Sequence, residues 1–169
     1  KGKIMYKVLD DVLNINDFQK IRDAILSGDI QWHLGRGIVG SEKPDLDDIQ
    51  FVHQIYNYGR PLSAVIEELE PLRAALNIHI NLRIKINLTA RSITPYRSGF
   101  HTDMTSINHI STKTAVFYLN DNDGYTEFEN GERVYSKANR AVIFDGNTRH
   151  SGVSCTNAKY RCVINWNFL

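Results

Sequence analysis

The stretch with the clearest chemical potential is Gly99-Phe100-His101-Thr102-Asp103-Met104. In an extended strand, side chains at i and i+2 share a face, so His101 and Asp103 would project together. An imidazole and a carboxylate joined by a second histidine make the two-His-one-carboxylate triad, which holds non-haem Fe(II) and leaves coordination positions open. Alone, a His-x-Asp triplet specifies little. It needs a second histidine and a fold that brings the two together.

His150 is that second histidine. Residues 140–149 read as a strand running into a tight turn, and His150 opens the next strand, His150-Ser151-Gly152-Val153. Arg161 then opens a terminal strand whose residues alternate. Arg161, Val163, Asn165 and Asn167 share one face, and Cys162, Ile164, Trp166 and Phe168 share the other. An arginine at the start of a closing strand suits a bidentate grip on a carboxylate.

The elements that must position these residues follow from periodicity. Asn14-Ile15-Asn16 offers a helix N-cap, Phe18, Ile21, Ile25 and Leu26 recur at helical spacing, and Gly28 is a stop. Residues 33–50 have four acidic side chains, several glycines and no period, which predicts a loop. Residues 51–56 predict a short strand. Pro61 sits where a helix could start, Leu62 to Leu76 form an apolar stripe, and Pro71 should kink the helix or split it in two. From Ile78 to Leu88 the period becomes two. Further strand-like runs follow at 100–104, 114–120, 125–129, 132–136, 140–145, 150–154 and 161–168, with hairpin signals at Asn122-Asp123-Gly124 and Asn130-Gly131. The expectation is a mainly β fold with N-terminal helices (α+β) and a β-sandwich or jelly-roll core, in one domain over 1–169. Residues 1–77 would be helical support and loop, and 78–169 the core.

Bulk properties narrow the function. The chain has 169 residues, 42% hydrophobic and 23% charged, as in ordinary globular proteins. A formal charge of +1 gives no electrostatic case for nucleic acid or membrane as a partner. No apolar run approaches a membrane span. Cys155 and Cys162 make no disulfide framework, which favours a reduced cytoplasm.

Together these residues resemble the Fe(II)/2-oxoglutarate-dependent dioxygenases, specifically the prolyl 4-hydroxylase-like branch and its small stand-alone phage-encoded members. The resemblance covers 78–169 well and the helical front loosely. Thr114-Ala115-Val116-Phe117-Tyr118-Leu119-Asn120 is similar to a family strand, and Gly124-Tyr125-Thr126-Glu127-Phe128 to a family turn. The resemblance implies a double-stranded β-helix in which His101, Asp103 and His150 hold Fe(II). It also implies that Arg161, assisted by Thr114, binds the distal carboxylate of 2-oxoglutarate. With O2, such a centre hydroxylates an unactivated C–H bond of a small molecule or peptide. The sequence departs from the branch at Arg161, where lysine is frequent, and at Asn167, where many relatives carry tryptophan.

The residues alone leave two other readings open: a cupin-type metal enzyme without 2-oxoglutarate, and a non-catalytic jelly-roll binding module. His53, His79 and His109 read as packing or surface residues, and Arg91, Tyr96 and Arg97 as loop residues near His101. Arg83, Lys85 and Asn87 form a polar face directed either into the barrel or to solvent. Tyr118 either lines the pocket or packs in the core, and Cys162 reads as a buried thiol.

Overall fold

The computed structural model describes residues 5–36, 49–104 and 110–169. Elements run in the order β1 (Tyr6–Leu9), α1 (Ile15–Leu26), β2 (His33–Arg36), β3 (Ile49–Asn57), β4 (Arg60–Pro61), α2 (Val65–Glu68) and α3 (Glu70–Ala75). They continue with β5 (Asn81–Ala90), β6 (Lys113–Tyr118), β7 (Tyr125–Phe128), β8 (Arg133–Tyr135), β9 (Arg140–Asp145), β10 (His150–Val153) and β11 (Tyr160–Phe168). A large antiparallel sheet has the order β1-β9-β6-β11-β5-β3-β2, with β4 paired to β3, and a small one has the order β10-β7-β8. The two sheets make the jelly roll that the resemblance implies, one of the two arrangements that the short alternating strands allow.

Local chemistry accounts for the helices. The Asn14 side chain accepts from the backbone N–H groups of Asn16 and Asp17, and Phe18, Ile21 and Ile25 of α1 are buried. Gly28, at φ +93°, turns the chain out of the helix. Pro71 sits in the first turn of α3 and separates it from α2, as expected.

The helices cover one face of the large sheet. Phe18, Ile21, Ile25, Leu69 and Leu72 pack in one cluster with Ile84, Ile86, Phe117, Ile164 and Trp166. The opposite face meets the small sheet, where Phe128 and Val134 pack with Val116, Tyr118, Phe144 and Val163. Alternation therefore sends Cys162, Ile164, Trp166 and Phe168 to the helices. Tyr118 belongs to the core between the sheets and is fully buried.

Several expectations need correction. Residues 100–104 form no regular strand: His101 makes only an isolated bridge to His150. Pro61 begins no helix. Tyr58 and Gly59, at φ +42° and +84°, form a tight turn that folds Arg60–Pro61 back on β3. Leu62 is consequently exposed, outside the apolar stripe. Strand β5 starts at Asn81, leaving Ile80 exposed. Asn130-Gly131 does join the paired strands β7 and β8, whereas Asn122-Asp123-Gly124 links β6 of one sheet to β7 of the other. Within the predicted 33–50 loop, His33–Arg36 pairs with β3 as an edge strand, while residues 37–48, like His109, lie outside the described residues. Among the described residues, no helix is long and apolar enough to cross a membrane.

Candidate active site

The segment before the triad lies along β10. Ser154 N–H donates to Tyr96 O, Ser98 N–H to Gly152 O and His101 N–H to His150 O. His150 N–H returns a bond to His101 O at 2.9 Å. This antiparallel pair places the two imidazoles side by side, with ring centroids 4.7 Å apart. The bend after His101 then turns Asp103 back toward both rings.

The nitrogens are oriented. His101 Nδ1 donates to Gly99 O at 3.1 Å and His150 Nδ1 to Thr148 O at 3.0 Å. Since a carbonyl only accepts, the proton sits on Nδ1 and the Nε2 lone pairs are available. These face Asp103: His101 Nε2 is 3.9 Å from Oδ1, and His150 Nε2 is 3.3 Å from Oδ2. The three ligand atoms lie within 4.8 Å of one another. Two lone pairs and a carboxylate turned toward one point repel unless a cation sits among them. The donor set fits a divalent first-row metal such as Fe(II).

Asp103 is almost completely buried. Burial opposes its ionisation, but in the metal-free chain a second proton, on His150 Nε2, supplies a hydrogen bond and a charge that outweigh it, and the Asn165 hydrogen bond adds to them. The carboxyl is held well below the usual range. Asn165 Nδ2 donates to Oδ2 at 2.9 Å, and Arg83 Nη2 approaches Oδ1 at 3.4 Å. Arg83 is itself steadied by Asn167 Oδ1 at 2.9 Å, and Asn167 Nδ2 donates to Thr114 Oγ1 at 2.9 Å. For His101, burial and the neighbouring His150 charge lower the pKa, which favours the neutral, ligating ring.

Arg161 stands at the other end of the cavity, 5% exposed. Its Nε donates to Ser136 Oγ at 3.1 Å and its Nη2 to Thr126 Oγ1 at 3.1 Å. Thr126 also bonds the Tyr118 hydroxyl at 2.8 Å. Burial lowers the Arg161 pKa, yet a guanidinium remains charged. No carboxylate among the described residues pairs with it. A Cβ at Gly124 would stand 2.7 Å from Arg161 Cδ, and one at Gly152 3.4 Å from Nη1. Glycine at these positions leaves room for the guanidinium. A buried cation in a glycine-walled pocket fits the free carboxylate of a bound acid.

A cavity of about 60 Å³ joins the two ends, lined by His101, His150, Arg161, Asn165, Asn87 and Lys85 among others. Asn87 Oδ1 and Asn165 Oδ1 are buried there without a donor among the described residues. Unpaired buried acceptors of this kind call for a ligand or water to complete them.

Thr114 is not at the Arg161 end. It pairs with Asn167, six residues along β11 from Arg161, a distance of about 20 Å along a strand. Its hydroxyl supports Asn167 and, through Arg83, Asp103. The hydroxyls beside Arg161 are those of Ser136 and Thr126. Asn165 and Arg83 are further site residues without a predicted role, although alternation puts both on the inward face. Arg97 pairs with Glu127 at 3.3 Å and stacks over Phe100, pinning the loop before His101. His53 is held between Gln31 O and Ser63 Oγ as a packing residue. Cys162 faces the helices, and burial pushes its thiol up to about 12.

No protein-family model and no curated protein matches the chain. Solved structures do. A 2OG-Fe(II) oxygenase family oxidoreductase from Burkholderia pseudomallei superposes with TM-score 0.66 at 12% identity, covering 96% of this chain and 84% of that one. The chain has the 2OG-Fe(II) oxygenase fold. The viral collagen prolyl hydroxylase of Paramecium Bursaria Chlorella virus-1, solved with 2OG, shares this oxygenase fold with TM-score 0.60, 14% identity and coverage of 98% and 96%. HygX from Streptomyces hygroscopicus, solved with nickel, 2-oxoglutarate and hygromycin B, gives 0.64, 10%, 98% and 82%.

Proposed function

We propose that this chain is an Fe(II)- and 2-oxoglutarate-dependent dioxygenase that hydroxylates an unactivated C–H bond of a small molecule or peptide. The carrying observation is that one cavity holds two oriented Nε2 atoms facing a buried carboxylate at one end and, at the other, a buried arginine with no acid partner among the described residues. His101, Asp103 and His150 would hold the metal. Arg161 would pair with the distal carboxylate of 2-oxoglutarate, fixed in place by Ser136 and Thr126. Asn165 and Arg83 hold Asp103 with its oxygens toward the two imidazoles. The bound metal with its cosubstrate supplies O2 activation coupled to decarboxylation of 2-oxoglutarate to succinate and CO2. Both kinds of substrate have precedent in the fold, since one neighbour is named for collagen and another is bound to hygromycin B.

The test is an anaerobic titration of Fe(II) into metal-free protein with 2-oxoglutarate, following the visible charge-transfer band. The band is expected to form, to vanish in His150→Ala, and to need far more cosubstrate in Arg161→Ala. Metal binding with no band at any 2-oxoglutarate concentration would instead support a cupin-type enzyme. Absence of both would leave a binding module.

A further inference from the structure

The metal cavity, at about 60 Å³, has room for roughly five water molecules. A metal and its cosubstrate would fill it, which leaves little for a second organic molecule. Beside it lies a cleft of about 580 Å³ over β2, β3 and β5, within the range usual for small-molecule sites. Gln50 and Lys85 line both spaces. The two spaces are therefore neighbours, with these two side chains between them.

The cleft has a distinct chemical character. Arg83 and Lys85 lie on its floor, two residues apart on one face of β5, and Gln31, Gln50 and Gln54 contribute amides. None of the described residues that line it is acidic. Arg83 is already engaged by Asn167 and Asp103. Lys85 forms no hydrogen bond and no ion pair with any described residue. Burial lowers its pKa, the Asp103 charge raises it and the Arg83 charge lowers it again. An ammonium that is desolvated and left without a hydrogen-bonded acceptor is a site for an incoming anion. Gln54 sits directly across from Lys85 in the β3–β5 pairing and is exposed, so its amide can share the same ligand.

We propose that this cleft is the substrate site and that the substrate carries an oxyanion, a carboxylate or a phosphate, held by Lys85 with Gln54 beside it. This rests on the dioxygenase reading and gives it a substrate class: an acidic small molecule. A neutral prolyl peptide would leave Lys85 without a partner.

The experiment uses the full chain loaded with Zn(II), a redox-silent stand-in, and 2-oxoglutarate. Inorganic phosphate and acetate are titrated separately against sodium chloride at matched ionic strength, following the backbone amide resonances of Gln50, Val52 and Gln54. Saturable shifts are expected with at least one oxyanion, and which one distinguishes phosphate from carboxylate. The shifts should be lost in Lys85→Met and regained in part in Lys85→Arg. They should also be lost in Gln54→Glu, where the new carboxylate occupies Lys85. This exposed position guards against a folding artefact, and Zn(II) and 2-oxoglutarate affinity in Gln54→Glu should stay within about twofold of the parent.

Responses no larger than those to chloride, or shifts that survive Lys85→Met, would overturn the proposal. A tenfold loss of 2-oxoglutarate affinity in Lys85→Met would overturn it as well, assigning the ammonium to the cosubstrate. The dioxygenase reading fails separately, if the parent chain binds no 2-oxoglutarate. The same titration on the metal-free chain then still reports on the cleft.

Discussion

Asn165 donates from Nδ2 to Asp103 Oδ2 at 2.9 Å while its own Oδ1 is buried with no donor among the described residues. One strand of the large sheet thus holds the only acidic member of the triad in place. Asn165→Ala is expected to weaken metal binding by about 10–100-fold. Titration calorimetry with Zn(II) would measure this, with His150→Ala as the more damaged control. An unchanged affinity would remove Asn165 from the positioning machinery.

The glycine facing Arg161 gives a second prediction. A methyl group at Gly124 would press on Arg161 Cδ and on Val153 O, 2.7 and 2.8 Å away. Gly124→Ala should destabilise the chain by about 1–3 kcal/mol and weaken 2-oxoglutarate binding while leaving metal affinity intact. Denaturant melts and separate metal and cosubstrate titrations distinguish these effects.

Removing the guanidinium goes further. Arg161→Met should lower 2-oxoglutarate affinity on the order of a hundredfold or more, the scale of breaking a buried, hydrogen-bonded charge pair. Competition with N-oxalylglycine on the Zn(II)-loaded protein provides the readout. A loss under threefold would mean that the distal carboxylate lies elsewhere.

Asp123 ties the β6–β7 crossing to the loop before β11. It accepts from the Thr156 hydroxyl and from the backbone N–H groups of Thr156 and Asn157. The Thr156 hydrogen bonds hold its carboxyl below the ordinary aspartate range. A depressed native pKa stabilises above the unfolded value, and that contribution fades as pH falls through the native one. Asp123→Asn should therefore lower the melting temperature at pH 7, with the gap to the parent narrowing below about pH 4. A gap independent of pH would contradict the assignment.

Both cysteines are buried in the folded chain, and burial pushes the Cys162 thiol up to about 12. A thiol reagent at pH 7 should leave native protein unlabelled and react with both groups after unfolding. Rapid native labelling of Cys162 would mean that the helix layer opens readily.

Period-two alternation marks β5 and β11 clearly because each has a helix-covered face and a cavity face, so neither tolerates a slipped register. Alternation by itself puts Arg161 and Asn165 on one face of β11, and Arg83 and Lys85 on one face of β5. It assigns no partners, since the contacts from Asn165 and Arg83 to Asp103 join segments far apart in sequence. His101 and Asp103 share a site for a reason other than the expected pleat. A single bridge to His150 and a local bend bring them together. Thr114 matches a cosubstrate contact by motif, but register places it behind Asp103. Pro61 misleads because Tyr58-Gly59, a turn for which only the glycine is an obvious signal, reverses the chain just ahead of it.

The two faces of β11 separate what selection can change. Cys162, Ile164, Trp166 and Phe168 belong to the helix-side core, while Arg161, Val163, Asn165 and Asn167 face the other way. In a saturation library, substitutions at even-numbered positions should register chiefly as lost abundance, and those at Arg161 and Asn165 as lost turnover at normal abundance. A descendant of this chain could then acquire new chemistry by changing every second residue of one strand, with its folding left to the residues in between.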